Sequence, residues 1–152
     1  MAQVLQTIDV DVPVNISYNQ WTQFEEFPKF LSVVESITQQ DDKHNHWVVS
    51  IAGTRREFDT VISEQLPDDR IAWTSTGGEV DHAGVVTFHK LSDTSSRVAV
   101  QIDWKPTGLV EKAGAALDIP DRAVKHELDN FKKYIEDQGI ADGAWRGSVE
   151  NN

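Results

Sequence analysis

The chain's five histidines are the first residues to consider for chemistry, because imidazole is a common general base and metal ligand near neutral pH. His44 and His46 form an H-x-H pair, a close spacing that occurs in metal sites. They flank Asn45 in a predicted hairpin turn that also contains Asp41 and Asp42. Exposed polar residues of a turn are the favoured interpretation, so no metal site is predicted.

The remaining histidines do not form a catalytic set by spacing alone. His82 and His89 are seven residues apart in one predicted strand, which puts them on opposite faces of the sheet. His126 falls in the polar arc of a predicted helix and is expected to be solvated. Asp81 and His82 open a strand next to a Gly-Gly turn and could stand at a pocket mouth. A general base there needs a partner within hydrogen-bond reach, and a surface pair is the favoured interpretation.

Sequence motifs for enzyme chemistry are absent. The chain contains no G-x-S-x-G elbow, no H-E-x-x-H and no G-x-x-x-x-G-K-[ST] loop. It contains no cysteine, so thiolate chemistry and disulfides are excluded. No catalytic residue and no cofactor is predicted, and a binding protein is favoured over an enzyme.

The net charge of −11 limits the possible partners, since 25 acidic residues face 14 basic ones. Binding to nucleic acid depends on lysine and arginine contacts with phosphates, and docking on anionic lipid depends on them as well. Both are disfavoured. No apolar stretch approaches the ~18 residues of a transmembrane segment. The N-terminus lacks the pattern of a signal peptide, so a cytoplasmic location is expected, and the oligomeric state is left open.

Alternating apolar residues predict the strands that must position any site. Val98, Val100, Ile102 and Trp104 show the period of two expected of a strand with one buried face. A first strand ends near Pro13, and six more follow, which gives seven strands at hairpin-like spacing and a largely antiparallel sheet. The six later strands are predicted at 33–40, 46–52, 56–65, 70–76, 80–91 and 96–104.

Helices are predicted on both sides of these strands. Val124, Leu128, Phe131 and Ile135 form the stripe of an amphipathic helix over 119–138, with Gly139 as its C-terminal cap. A shorter helix is predicted at 109–117. After the first strand, a short helix capped by Asn15 or Ser17 is expected, broken at Phe27-Pro28 and followed by one more turn at 29–31. The long helix must bury its stripe on the sheet, and a curved sheet around a helix can enclose a cavity.

Several motifs in this order resemble the START-like helix-grip superfamily, in particular its bacterial polyketide cyclase/dehydrase-like and ubiquinone-binding START-domain-like branch. The motifs are W-x-x-F-E-x-F-P-x-F-L at 21–31, Trp47 leading to Gly53, E-F-D at 57–59, E-Q-x-P-D-x-R-I-x-W at 64–73, G-x-V-x-F at 84–88, T-G-x-V-E-K at 107–112, L-x-x-F-K-x-Y-I-E at 128–136 and W-R-G at 145–147. The resemblance covers essentially the whole chain. It implies one α+β domain over 1–152, with 140–152 as a C-terminal tail. The implied fold is a seven-stranded curved antiparallel sheet around the long C-terminal helix, with two short helices after the first strand.

The resemblance also implies a hydrophobic tunnel between sheet and helix, which aromatic residues are expected to line. Polar groups that orient a ligand are sought at Ser75, Arg55, Gln101 and His82. Ordinary core packing remains the alternative for each aromatic residue. The predicted ligand-binding residues are Phe24, Phe30, Val49, Ile51, Phe58, Trp73, Ser75, His82, Phe88, Ile102, Trp104, Val124, Leu128 and Phe131.

Three functions remain open from the sequence. The favoured one is binding or carriage of a hydrophobic small molecule, such as a quinone, a lipid or a polyketide-like compound. The second is a cyclase, aromatase or dehydratase that acts on a polyketide-like substrate in the same cavity. The third is a regulatory interaction protein without a ligand. The fold does not decide among them, because one fold hosts many functions.

Overall fold

Seven strands and a long helix form the architecture of this chain, in a computed structural model that describes residues 2–51, 53–78, 81–105 and 121–149. The strands are β1 (Ala2–Val10), β2 (Val34–Gln39), β3 (His44–Ile51), β4 (Thr54–Leu66), β5 (Arg70–Gly78), β6 (Asp81–Ser92) and β7 (Ser95–Lys105). The helices are α1 (Val14–Trp21), a 3₁₀ helix (Phe24–Lys29) and α2 (Asp121–Gln138). The helix predicted at 109–117 lies outside the described residues.

All seven strands belong to one curved sheet in the order β1-β7-β6-β5-β4-β3-β2, and every neighbouring pair is antiparallel. The chain therefore runs as a meander from β2 to β7, and β1 pairs with β7 to form one edge of the sheet. Alternate residues of each strand face the core, as at Val98 (0% exposed) and Val100 (6% exposed) in β7. The α+β helix-grip class and the antiparallel sheet predicted from the alternation are confirmed.

The helix α2 packs its predicted apolar stripe against the concave side of the sheet. Leu128, Phe131 and Ile135 are at most 1% exposed, and Val124 is 7% exposed. The helix ends at Gln138, where Gly139 adopts φ 73° and donates its N–H to the carbonyl of Ile135 at 2.8 Å. A glycine with positive φ is the expected C-terminal cap, so this prediction is also confirmed.

Polar side chains of α2 fix the helix to its neighbours. The ammonium groups of Lys125 and Lys132 donate to the β1 carbonyls of Thr7 and Asp9, at 3.2 and 3.0 Å. Because β1 is an edge strand, these lysines satisfy acceptors that would otherwise be open to another strand. The carboxylate of Glu127 accepts the backbone N–H and the hydroxyl of Ser32, at 2.6 and 2.5 Å. The helix is thereby held on two sides.

Two local predictions near α1 are wrong. The N-cap of α1 is Pro13, with no side-chain cap, and Ser17 is instead fully buried with its Oγ 2.8 Å from Oγ of Ser96. Phe27 and Pro28 do not break a helix but lie inside the 3₁₀ helix. In a helix of three residues per turn, side chains at i and i+3 share a face. Phe24, Phe27 and Phe30 fall on that face and are 3–4% exposed. The burial of these three side chains in the core stabilises the 3₁₀ helix although Pro28 has no backbone N–H to donate.

The C-terminal segment of residues 140–149 packs against α1. The side-chain amide of Gln20 donates to the carboxylate of Asp142 at 3.0 Å and accepts the backbone N–H of Asp142 at 2.9 Å. The guanidinium of Arg146 donates to Asn19 and Asp68, each at 2.7 Å, and lies over the ring of Tyr18. The predicted tail thus continues the folded structure as far as Val149, which forms a β-bridge with Gln65.

Candidate functional site

Burial along the concave face is uneven, and the change marks the candidate site. One row of paired residues across neighbouring strands, Ile71–Val86–Val100, is buried, with exposed fractions of 1%, 0% and 6%. The next row is Trp73–Gly84–Ile102, in which Trp73 and Ile102 are only half-buried. His82, one row further along β6, is also half-buried. At this end the concave face therefore offers accessible apolar and aromatic surface.

Three aromatic rings stack on one another beside this accessible surface. The ring centroids of Trp47 and Phe58 are 5.7 Å apart with planes 23° from parallel. Those of Trp47 and Trp73 are 6.1 Å apart at 22°. His82 makes an edge-to-face contact with one member of this stack, with its ring 4.7 Å from that of Phe58 at 75°. Such offset-stacked and edge-to-face arrangements are the favoured geometries of aromatic pairs.

Polar groups at the same place are connected in one chain of hydrogen bonds. The indole Nε1–H of Trp73 donates to Nε2 of His82 at 3.1 Å. The backbone N–H of His82 donates to Oγ of Ser75 at 2.9 Å, and this hydroxyl donates to Oδ1 of Asp81 at 3.3 Å. An indole nitrogen can only donate, so Nε2 of neutral His82 is the acceptor and its proton is on Nδ1. The structure brings together Phe58, Trp73, Ser75 and His82 from the predicted ligand-binding residues.

Other predicted ligand-binding residues lie in the closed part of the core. The rings of Phe30 and Phe131 are 5.4 Å apart, and both pack on Trp21 at 5.8 and 5.3 Å. Phe24 packs on Phe27 at 5.3 Å. Val49, Phe88, Val124 and Leu128 are likewise at most 7% exposed. The side chains of Ile51 and Trp104 lie outside the described residues.

Arg55 and Gln101, the other polar residues considered for the site, lie away from it. Gln101 lies between Val100 and Ile102 in β7, so its side chain projects from the opposite face of the sheet, where it is 3.4 Å from Asp103. The Arg55 side chain is 64% exposed and its Nε is 3.8 Å from the Glu35 carboxylate. Trp47, which the sequence did not assign to the site, joins it through the pairing of Trp47 with Phe58 across β3 and β4.

The histidine pair of the H-x-H motif lies within β3 and not in the predicted turn. The carboxylate of Asp41 accepts the backbone N–H groups of Lys43 and His44, each at 2.8 Å, and this tight turn lets β3 begin at His44. His46 is bonded on both ring nitrogens, to Asp59 at 2.7 Å and Glu57 at 3.1 Å.

The bonds to Asp59 and Glu57 raise the pKa of His46, because both carboxylates stabilise the imidazolium. The register that brings these two acids to His46 was not predicted. Within the part of the chain that the structure describes, no group of three or more His, Cys, Asp or Glu residues is placed to hold a metal ion.

An open cleft of about 320 Å³ lies outside the core, between the 3₁₀ helix and α2. Phe30 and Tyr134 are among its lining residues, and Lys29, Lys133 and Asp137 bring both signs of charge. Lys29 is also paired with Glu26 at 2.7 Å. The charges of this cleft are mixed, and because Phe30 is 3% exposed, its ring contributes little accessible surface there.

The described residues include the helices α1 and α2 and the 3₁₀ helix. None of them combines the length and the apolar character that crossing a bilayer requires.

Comparison with known proteins agrees with the fold. A family model described as polyketide cyclase/dehydrase and lipid transport matches residues 10–132. An uncharacterised 17.2 kDa protein of Streptomyces lincolnensis is 50% identical over 149 residues, which are 98% of this chain and 99% of the relative.

Two solved structures are similar in fold at low sequence identity. The Zhui aromatase/cyclase of Streptomyces sp. R1128 has a TM-score of 0.75 and 14% identity, over 95% of this chain and 99% of that one. A START superfamily protein of Mycobacterium smegmatis has a TM-score of 0.67 and 16% identity, over 90% of this chain and 95% of that one. The matched family model covers most of the sequence, so this chain belongs to the polyketide cyclase/dehydrase and lipid transport family.

Proposed function

We propose that this protein binds or carries a hydrophobic small molecule, such as a quinone, a lipid or a polyketide-like compound, on the concave face beside Trp73. The family supports a role in hydrophobic ligand binding or in polyketide cyclase/dehydrase-type chemistry. The observation that carries the proposal is the half-buried surface of Trp73, Ile102 and His82 next to a closed core. Ligand sites combine apolar walls with a few polar groups that fix orientation.

The state of His82 favours binding over general-base catalysis. A neutral imidazole has one nitrogen lone pair, and here the indole N–H of Trp73 occupies it. To accept a proton from a substrate, His82 must first give up this hydrogen bond. The hydroxyl of Ser75 is similarly engaged, as acceptor from the His82 backbone and donor to Asp81.

A cyclase, aromatase or dehydratase on the same face is the second candidate. The gathering of an imidazole, a hydroxyl and a carboxylate at His82, Ser75 and Asp81 favours it, because an imidazole N–H or a hydroxyl can polarise a carbonyl and a carboxylate can accept a proton. Under this alternative, a His82→Gln variant would bind a substrate mimic as the unmodified protein does but would lose its conversion. Under the binding proposal, no conversion occurs in either protein.

Tryptophan emission provides the test of the binding proposal. A neutral and unreactive probe, 2,3-dimethyl-1,4-naphthoquinone, is titrated into the protein, which contains five tryptophans. We expect saturable quenching that is reduced in Trp73→Phe, because this substitution removes the reporter at the site. Trp145→Phe is the matched control, since Trp145 lies in the C-terminal segment where its backbone N–H bonds Thr22.

Two outcomes would contradict the proposal. One is quenching that stays linear with probe concentration in the folded protein, which indicates collisions in solution. The other is saturable quenching that Trp73→Phe and Trp145→Phe reduce equally, which would place the probe elsewhere. Native mass spectrometry of freshly purified protein supplies a second measurement, and we expect a bound apolar molecule of defined mass.

A further inference from the structure

Gly84 lies directly under the indole of Trp73. The two residues are paired across β5 and β6. A Cβ atom added to Gly84 would be 2.4 Å from Cζ2 of Trp73, 2.7 Å from Cε2 and 2.8 Å from Cη2. Carbon atoms in contact are normally about 3.5–4.0 Å apart. Any side chain at position 84 would therefore collide with the ring.

This close approach is the reason for glycine at position 84. The glycines with positive φ in the described residues are Gly53, Gly78 and Gly139, and Gly84 is not among them. Its backbone conformation is thus open to any residue. A strand glycine without such a requirement marks a place where another group needs the space of the side chain, and here the group is the six-membered ring of Trp73.

The absence of a side chain at Gly84 fixes the position of the indole relative to the concave space. The ring lies low on β6, from which its Nε1–H reaches Nε2 of His82, and it is stacked with Trp47. With alanine at position 84, the ring must rise by roughly 1 Å to restore an ordinary carbon contact. The rise is away from β6 and into the space that the site offers a ligand.

We infer that Gly84 sets the depth of the site and makes the site selective for flat ring compounds over flexible chains. This inference rests on the proposed function, because it concerns the same face. Trp47 is stacked with Phe58 and with Trp73, and because Trp47 and Phe58 are 8% and 6% exposed, half-buried Trp73 supplies the aromatic surface that a ligand can reach. A flat fused-ring ligand can stack on aromatic surface, and an alkyl chain gains no stacking there. A rise of the indole by roughly 1 Å narrows the space in front of that surface.

Four proteins test the inference: the unmodified chain, Gly84→Ala, Trp73→Phe and the double variant Gly84→Ala/Trp73→Phe. Phenylalanine lacks the outer ring that carries Cζ2 and Cη2, so it relieves the collision. Gly77→Ala is the matched control, because a Cβ on Gly77 meets nothing within 4 Å. Binding of 1-aminoanthracene, a neutral three-ring probe, is measured by calorimetry, with 1-dodecanol as the competing flexible chain.

We expect Gly84→Ala to weaken the binding of 1-aminoanthracene about tenfold or more, which is the scale on which one methylene group alters the fit of an apolar pocket. Gly77→Ala is expected to bind as the unmodified protein does, and the double variant as Trp73→Phe does. Dodecanol is expected to displace the probe only at about tenfold higher concentration. Unchanged affinity in Gly84→Ala, or a double variant weaker than Trp73→Phe, would overturn the depth argument. Equal affinity for dodecanol would overturn the selectivity.

The comparison remains decisive if Gly84→Ala does not fold. In that case the double variant must fold and bind the probe as Trp73→Phe does, and a weaker double variant refutes the inference. The indole N–H resonance of Trp73, assigned by its loss in Trp73→Phe, gives a reading that needs no ligand. We expect it to move in Gly84→Ala and to stay in Gly77→Ala. If the unmodified protein binds neither probe, the proposed function fails, while this resonance still reports on the collision.

Discussion

Replacing Leu128 by alanine removes three carbon atoms from the middle of the buried face of α2, where the side chain is 1% exposed. At about 0.8 kcal/mol per buried methylene, the transfer contribution to the free energy of unfolding is about 2.4 kcal/mol. A further contribution depends on how far the cavity can collapse. Three contacts of α2 oppose collapse: Lys125 and Lys132 are bonded to β1, and Glu127 is bonded to Ser32.

Because the helix cannot easily move toward the sheet, we expect Leu128→Ala to lower the free energy of unfolding by about 3–4 kcal/mol, within the range of such substitutions. For a domain of this length, that corresponds to a fall in Tm of roughly 6–16 °C. Urea denaturation followed by tryptophan emission gives the free energy, and calorimetry gives Tm.

The matched control for Leu128→Ala is His126→Ala, on the exposed side of the same helix. It is expected to change stability by no more than about 0.5 kcal/mol, as surface substitutions do. A loss below about 0.5 kcal/mol for Leu128→Ala would show that the apolar stripe of α2 does not face a packed core. The expected ordering also depends on an unchanged m-value, because a changed m-value would indicate a different denatured state.

Two further predictions concern pH. The two carboxylate partners of His46 raise its pKa, so the folded state holds the proton of His46 more tightly than the unfolded state does. The protonated His46 therefore stabilises the fold, and this contribution is lost as pH rises from about 6.5 through the folded-state pKa. The stability difference between the unmodified protein and His46→Gln, measured in urea, should therefore be larger at pH 5.5 than at pH 9, and an equal difference would refute the ion pairs. The two tyrosines of the chain, Tyr18 and Tyr134, both have raised pKa values, from burial in each case and from the bond to Asp142 in Tyr134, whose pKa is about 12. Absorbance at 295 nm should show no phenolate step near pH 10 while the protein is folded, and the free energy of unfolding should fall as pH rises between about 10 and 12. An absorbance step near pH 10 with the amplitude of one tyrosine would contradict the burial.

Strand and helix positions were predictable because their signals are local. The alternation of Val98, Val100 and Ile102 records a face that is buried, and the spacing of Leu128 and Ile135 records the buried stripe of a helix. Each signal lies within a few residues, and its meaning depends only on the period. This is why the predicted strands differ from the observed ones mainly at their ends.

Contacts between distant residues were not predictable, because they depend on register. His46 meets Asp59 only because β3 and β4 pair with these two residues opposite each other. Ser17 was expected to cap a helix, but its hydroxyl is bonded to Ser96 from another part of the chain. The 3₁₀ helix around Pro28 exists because three phenylalanines at a period of three bury together, and proline chemistry alone predicts a break.

The candidate site was predictable in its residue types but not in its extent. Trp73, Ser75 and His82 were expected to contribute, and they are connected by hydrogen bonds at the accessible end of the concave face. Phe30 and Phe131 were expected to line the same space and are packed against each other. A sequence pattern identifies an inward-facing aromatic residue, but it does not tell whether neighbouring side chains fill the space in front of it.

The pairing of β1 with β7 has a consequence for how the chain is made. During synthesis β1 leaves the ribosome first, but its neighbour in the sheet is encoded far downstream, with Val10 opposite Ser96 and Ala2 opposite Trp104. At about 5–20 residues per second, the nascent β1 waits roughly 4–20 s for this partner. Meanwhile the hairpins from β2 to β6 can form as they emerge, since each joins strands that are adjacent in sequence. The nascent chain thus carries an unpaired strand, with the apolar side chains of Val4, Ile8 and Val10 on one face, until synthesis is well past its midpoint. This is the interval in which we expect a chaperone to matter most for this protein.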